Sequence, residues 1–453
     1  MSELTDVFVI APPTTNGPLH IGHMSGPFIA ADVASRASRA AGTRTWTLGG
    51  IDVHPNWVLT RAENEGIDVG KLVDEFVGRI DVALDLARVE CDSYLDARQP
   101  EHQQLVARLA AQLADTVAHW SEQTLYRCAD CERTLHNSYL IGICSRCGSG
   151  SNGGTCEGCG GYASAADLIE ARCNRCGGAP EPFQARLPML RLADLHDELE
   201  LFWMRADYPR RIRDLIAGYL AGGLPEIPLG YPTNWGVPGT GSMAGLTVDV
   251  NVELGLGTYL LAARGVDPQA GEVAELQQAW RGIGRLWWFH GIDNGFYFAL
   301  LWPALFAALG VQPGQVGGAA VNEFYTLDGQ KFSTSRNHAI WADEELASED
   351  PALIRLYLSW DRPDRYCSDY TRDRYLGFRD RFAPVLSGQS RMQALPVELA
   401  RADLQRGLDA LRPGNYDAPL AVRCLLDTAG NQHLPEWQQL YRILTGTGYG
   451  VRG

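Results

Sequence analysis

The chain has 453 residues, a formal net charge of −15, 45% hydrophobic and 21% charged residues, the composition of a soluble globular protein too long for one core. The acidic balance argues against a broad nucleic-acid-coating surface, although a local basic groove stays compatible with it. No apolar run approaches ~18 residues and no basic, apolar-core leader opens the chain, so neither a membrane span nor a secretory signal is expected and a cytoplasmic location follows.

In chain order, Val7 to Ala11 form a short apolar run suited to a buried strand. A Pro/Thr/Asn/Gly stretch breaks it, and Ile21 onward turns helical until Gly42. A strand, a tight turn and a helix N-terminus make an anion pocket, because the first backbone N–H groups of a helix lack intrahelical partners. Two imidazoles in that turn, His20 and His23, suit a phosphate, and the chemistry is that of ATP. The whole stretch, P-P-T-T-N-G-P-L-H-I-G-H, resembles the nucleotide signature of class I aminoacyl-tRNA synthetases, and most nearly the methionyl type. Further stretches match in the same order over roughly residues 5–385.

Residues 44–58 read as a second strand and a loop carrying Asp52 and His54. The resemblance implies that Asp52 holds the substrate ammonium; the plainer alternative is a loop aspartate capping the next helix. Residues 59–125 read as helices alternating with short loops, from the amphipathic spacing of Leu72, Val73, Phe76 and Val77 and of Leu105, Val106, Leu109 and Leu113.

Between 126 and 180, eight of the eleven cysteines form four C-x-x-C pairs: Cys128/Cys131, Cys144/Cys147, Cys156/Cys159 and Cys173/Cys176. Such pairs in Gly-rich turns read as tetrahedral thiolate zinc sites rather than disulfides or iron–sulfur ligands. Spacing alone allows adjacent or nested pairing. The methionyl-type connective insertion implies nesting, with Cys144, Cys147, Cys156 and Cys159 on an inner ion and Cys128, Cys131, Cys173 and Cys176 on an outer one. Few apolar residues lie here, so two structural Zn²⁺ ions are expected to hold the insertion together.

Residues 185–224 read as helix, and 225–238 resemble the segment that re-enters the nucleotide fold, with Tyr231 and Pro232 where the family usually has Arg-Asp. Residues 284–310 give a strand, a Gly-containing turn and an apolar helix, the second half of a doubly wound fold. There Gly291-Ile292-Asp293 resembles the family's Gly-Lys-Asp, which contacts adenosine. Leu327 to Ser335 resembles the Lys-Met-Ser-Lys-Ser loop, whose lysines neutralise departing pyrophosphate. Lys331 is one of two lysines in the chain, and Thr334 replaces the second family lysine, with Arg336 beside it.

The resemblance therefore implies catalytic roles for His20, His23 and Lys331. It implies ATP contacts from Asn16, Gly17, Gly22, Gly291, Asp293, Ser333 and Ser335. Around the amino acid it places Pro12, Thr14, Asp52, Asn251, Thr258, Phe298 and Trp302. Thr14, Asn251, Thr258 and Phe298 stand where the family has stacked aromatics and a histidine, while Trp302-Pro303 is kept. Small polar groups change what can be buried without unpaired donors, so methionine is not the expected substrate.

Residues 340–385 read as a short helical segment, and the 68 residues after 385 allow two or three short helices, so a full anticodon-binding bundle is not expected. The fold class is α/β: a class I synthetase parallel sheet of Rossmann type, a zinc-knuckle connective insertion and a short helical C-terminus. The expected parts are 1–118 and 225–325 for the two catalytic halves, 119–224 for the insertion, 326–385 for the helical segment with its lysine loop, and 386–453 for the C-terminal helices. The expected reaction is adenylate formation from an amino acid or related carboxylate and Mg·ATP, with ATP, Mg²⁺ and Zn²⁺ as cofactors. The acceptor is a small amine, alcohol or thiol. Alternatives are a tRNA 3′ end reached through the acceptor arm only, or a binding protein without turnover.

Overall fold

The computed structural model describes residues 4–156, 158–163, 167–332, 338–389 and 392–447. Its centre is a five-stranded sheet whose neighbours run Val316–Asn322, Ile283–Gly291, Thr5–Ile10, Arg44–Ile51 and Ser93–Asp96. All adjacent pairs are parallel. Near-continuous burial of Val7 to Ile10 and of Leu286 to His290 is what a sheet covered on both faces requires. The chain leaves the Thr5 strand toward one edge and returns at the Ile283 strand on its other side, so the ends of these two central strands form a topological switch point, where open α/β sheets bind ligands.

The first strand leads through a loop into a helix beginning at Ile21, which loosens into a π-helical turn over Met24–Phe28 and continues as Ile29–Ala40. Pro27 sits in that turn, where the wider hydrogen-bond ladder accommodates a residue without an N–H. Asp32 on this helix is buried between Arg36 and Arg355, which lies on the helix Pro351–Trp360; the Arg355 guanidinium is 2.6 Å from Asp32 and also donates to the carbonyls of Ala87 at 2.6 Å and Leu444 at 3.0 Å. This buried charge cluster ties the first crossover helix to Pro435–Thr445, the last of three C-terminal helices that follow as Val397–Ala410, Ala418–Asp427 and Pro435–Thr445.

Three expectations fail, the first being residues 119–125, read among the helices and loops of 59–125, which begin the strand His119–Cys128. Ser93–Asp96, read as loop within a helical stretch, is the edge strand of the central sheet; four residues are too few for periodicity to reveal. Residues 185–191, read as helix, belong to the strand Pro180–Arg191, which pairs antiparallel with His119–Cys128 from Cys128↔Pro180 to Met189↔His119. The partner lies some sixty residues away, so the pairing is invisible locally. This long ribbon carries the cysteine-bearing tip.

The tip touches the core. The Tyr162 ring stacks on Phe296 at 4.9 Å, and Gly160, at φ +68°, approaches the Ile292 carbonyl so closely that an added Cβ would lie 3.0 Å from it. No helix among the described residues is long and apolar enough to cross a membrane.

Candidate active site

His20 and His23 cap the same helix reciprocally: the His20 backbone N–H donates to His23 Nδ1 at 3.2 Å, and the His23 N–H to His20 Nδ1 at 3.3 Å. Both Nδ1 atoms therefore act as acceptors, and the ring protons sit on Nε2. The rings stack at 3.6 Å. Burial, then the neighbouring His23 and Lys331, hold His20 well below the usual histidine range, and burial lowers His23 to about 4. Two neutral Nε2–H donors result. Gly22 permits this packing, because a Cβ there would meet His20 Nδ1 at 3.0 Å and the Phe332 ring at 3.3 Å.

Phe332 stacks on the other face of His20 at 4.4 Å. It follows Lys331, which lies in a hairpin formed by Tyr325–Leu327 and Gln330–Lys331 with its ammonium 5.3 Å from the Phe324 ring. The bridge His20↔Trp341 and the bonds Ile21 N–H to Ile340 and Ala342 N–H to Leu19 seal the far side of the loop. The structure thus brings His20, His23 and Lys331 together although about 310 residues separate them. Ser333, Thr334, Ser335 and Arg336 lie outside the described residues.

Asn16 and Gly17 occupy the loop between the first strand and its helix. Asp293 folds back over Gly291 at the end of the Ile283 strand; an added Cβ on Gly291 would come within 2.5 Å of its carboxylate and push that side chain aside.

Pro12, Thr14 and Asp52 come together because the loops after the first two strands pair: Asp52 N–H donates to Pro13 O at 2.9 Å and Thr15 N–H to Asp52 O at 3.0 Å. The Thr14 hydroxyl donates to Asp52 Oδ2 at 3.2 Å, while Oδ1 is buried without a partner among the described residues. Burial, then repulsion from Glu253, holds Asp52 well above the usual carboxylate range. An ammonium group would relieve both.

Asn251 and Thr258 lie on the helix Val250–Val266. Trp302 donates its indole N–H to the Asn251 carbonyl at 2.9 Å, and its ring lies 4.2 Å from Phe298. The family's Arg-Asp position is taken by Tyr231, stacked on His136 at 4.7 Å.

Sequence reasoning missed the pair formed by His54 Nδ1 and Glu253 at 2.7 Å, and His290, which stacks on Phe298 at 4.4 Å. His290 carried a usable signal, a polar ring ending the apolar run Leu286 to Phe289 beside a glycine. Glu253 carried none, being one acidic residue on a buried helix.

The eight cysteines form two sets, Cys128/Cys131/Cys173/Cys176 and Cys144/Cys147/Cys156/Cys159, with the sulfurs of each set within 4.8 Å of one another. Sulfur separations of 3.3 Å for Cys128 and Cys176, 3.8 Å for Cys131 and Cys173, and 3.6 Å for Cys147 and Cys156 fit a tetrahedron with Zn–S bonds of ~2.3 Å. The pairing is nested, as the resemblance implied.

The family model described as tRNA synthetases class I (M) matches residues 8–377. A methionine–tRNA ligase of Dehalococcoides mccartyi (strain CBDB1) is 28% identical over 370 residues, covering 80% of this chain and 66% of the relative. One from Thermomicrobium roseum is 29% identical over 386 residues, covering 84% of this chain and 65% of the relative. The chain thus spans just under two thirds of the length of these relatives. Among solved structures, Mycobacterium tuberculosis methionyl-tRNA synthetase in complex with methionyl-adenylate shares the fold at a TM-score of 0.70 and 16% identity, covering 98% of this chain and 88% of that one. With the match extending from the first strand into the helix that begins at Arg372, the chain belongs to the class I (M) tRNA synthetase family.

Proposed function

We propose that this chain is an ATP-dependent ligase that joins an amino acid or related carboxylate to AMP and then passes the acyl group to a small amine, alcohol or thiol. The supporting observation is the meeting of His20, His23 and the Lys331–Phe332 turn at the carboxyl edge of the sheet. Asp52 Oδ1 would take the substrate ammonium and Asp293 the ribose. The substrate carboxylate attacks the α-phosphorus of Mg·ATP; the bond to the bridging oxygen breaks, and its electron pair leaves with pyrophosphate. The two Nε2–H groups donate to the α-phosphate oxygens as charge builds, and Lys331 faces the departing pyrophosphate. The acceptor heteroatom then attacks the acyl carbon, sheds its proton, and AMP leaves. Two zinc ions, one per cysteine set, would hold the tip of the insertion.

A small acceptor is favoured over a nucleic-acid strand because three of the arginines interleaved with aromatics after residue 362 are engaged by carboxylates: Arg372 with Glu345 and Glu349, Arg374 with Asp361, and Arg379 with Glu349 and Asp380. Charging of a tRNA acceptor end is the second reading, supported by the relatives' names. Pyrophosphate exchange with ATP and single amino acids, run with and without tRNA, tests both. Exchange without formation of aminoacyl-tRNA supports the small acceptor, and charging supports the second reading. Strong methionine-dependent exchange refutes the expectation that methionine is not preferred, and no exchange refutes the ligase.

A further inference from the structure

His290 sits at the end of the central Ile283 strand and is fully buried. Its Nδ1 lies 2.8 Å from the Gly291 carbonyl, an acceptor, so that nitrogen carries the ring proton. Burial keeps the ring neutral, lowering its pKa to about 4. Nε2 is left as a bare lone pair with no hydrogen-bond partner among the described residues. A buried acceptor in that state costs free energy in the ligand-free protein, so it calls for a partner.

Alternation along the strand decides where it points. Phe289 turns to one face, against Phe8 and Tyr416, while Trp288 and His290 turn to the other, against Phe298. Phe298 and Trp302 are the residues that the resemblance places around the amino-acid side chain.

The two threonine hydroxyls nearby have already spent their protons. Thr14 donates to Asp52 at 3.2 Å and Thr258 to the Leu254 carbonyl at 2.8 Å. Beside the indole N–H groups of Trp288 and Trp235, three acceptors here have no partner among the described residues: Asp52 Oδ1, Glu253 Oε2 and His290 Nε2. One of them matches an α-ammonium, which leaves acceptors to spare.

Resting on the adenylation reading above, we infer that the activated amino acid carries a second hydrogen-bond donor, an amine or hydroxyl on its side chain, received by His290 Nε2. An apolar side chain leaves that lone pair unpaired, and a site built to bond an N–H or O–H rejects the analogue lacking it.

The test is pyrophosphate exchange by the 453-residue chain, using the standard amino acids together with homoserine, 2,4-diaminobutyrate and the apolar norvaline. The best substrate is expected to bear a side-chain donor and to exceed norvaline and methionine in kcat/KM by about 10–100-fold. In His290→Leu that ratio should fall toward one, and in His290→Gln, which keeps an acceptor, it should persist. Ratios within one variant cancel any loss of folded protein. A best substrate with an apolar side chain, or a ratio unchanged by His290→Leu, overturns the inference alone. Absence of exchange with every amino acid overturns it together with the adenylation reading.

Discussion

Replacing Asp52 with asparagine should move stability and binding in opposite directions. One carboxylate oxygen accepts the Thr14 hydroxyl at 3.2 Å and the other is buried without a partner among the described residues. Burial and the nearby Glu253 hold its pKa well above the usual 3.8. Asp52→Asn keeps the shape and the Thr14 bond and removes the charge. Because the folded-state pKa is raised, ionisation opposes folding at neutral pH; the cost is complete above the folded pKa, shrinks as pH falls through it, and is gone below the unfolded value of ~3.9. The ligand-free variant should be more stable at pH 8 by about 1–2 kcal/mol, or ~2–4 °C in Tm for each kcal/mol, and no different near pH 4. Binding should suffer: one charge-assisted bond from an ammonium is worth about 1.5–3 kcal/mol, roughly 10–150-fold in KM for the amino acid. Thermal melts from pH 4 to 8 and exchange kinetics measure the two halves. An Asp52→Asn protein that melts lower at pH 8 and keeps its KM would refute the reasoning.

Arg355→Met should destabilise the protein by about 3–5 kcal/mol in chemical denaturation, because it removes one buried partner of Asp32 and strands the carbonyls of Ala87 and Leu444. Cys147→Ser and Cys176→Ser, each taken from a different cysteine set, should each lower zinc measured by mass spectrometry from two ions per chain to one; loss of both ions from one variant would count against independent sites. Lys331→Ala should lower kcat for pyrophosphate exchange by about 100-fold, with Lys331→Arg falling between it and the parent.

The strand–turn–helix runs around His20 and His23 and around Gly291 were legible because each is a short stretch at a strand's carboxyl end, and the resemblance supplied the roles proposed for them. The cysteine pairs were legible for the same reason, with the resemblance supplying their nesting. The ribbon of His119–Cys128 and Pro180–Arg191 was not, since its register exists only between segments far apart in sequence. The Glu253–His54 pair spans 199 positions, and nothing near either residue signals the other. His290 was within reach: a buried imidazole closing an apolar strand needs a partner, and its local sequence offers one for a single nitrogen.

The sulfur-bound tip of the insertion leans on Phe296 and Ile292, in the turn that leads to Phe298. It therefore packs against the central domain rather than standing clear of it. If the cysteine sets hold zinc and Phe298 lines the amino-acid site, as proposed, chelation should blur the choice among amino acids before it weakens the grip on nucleotide, so the purification buffer becomes a variable in any specificity measurement.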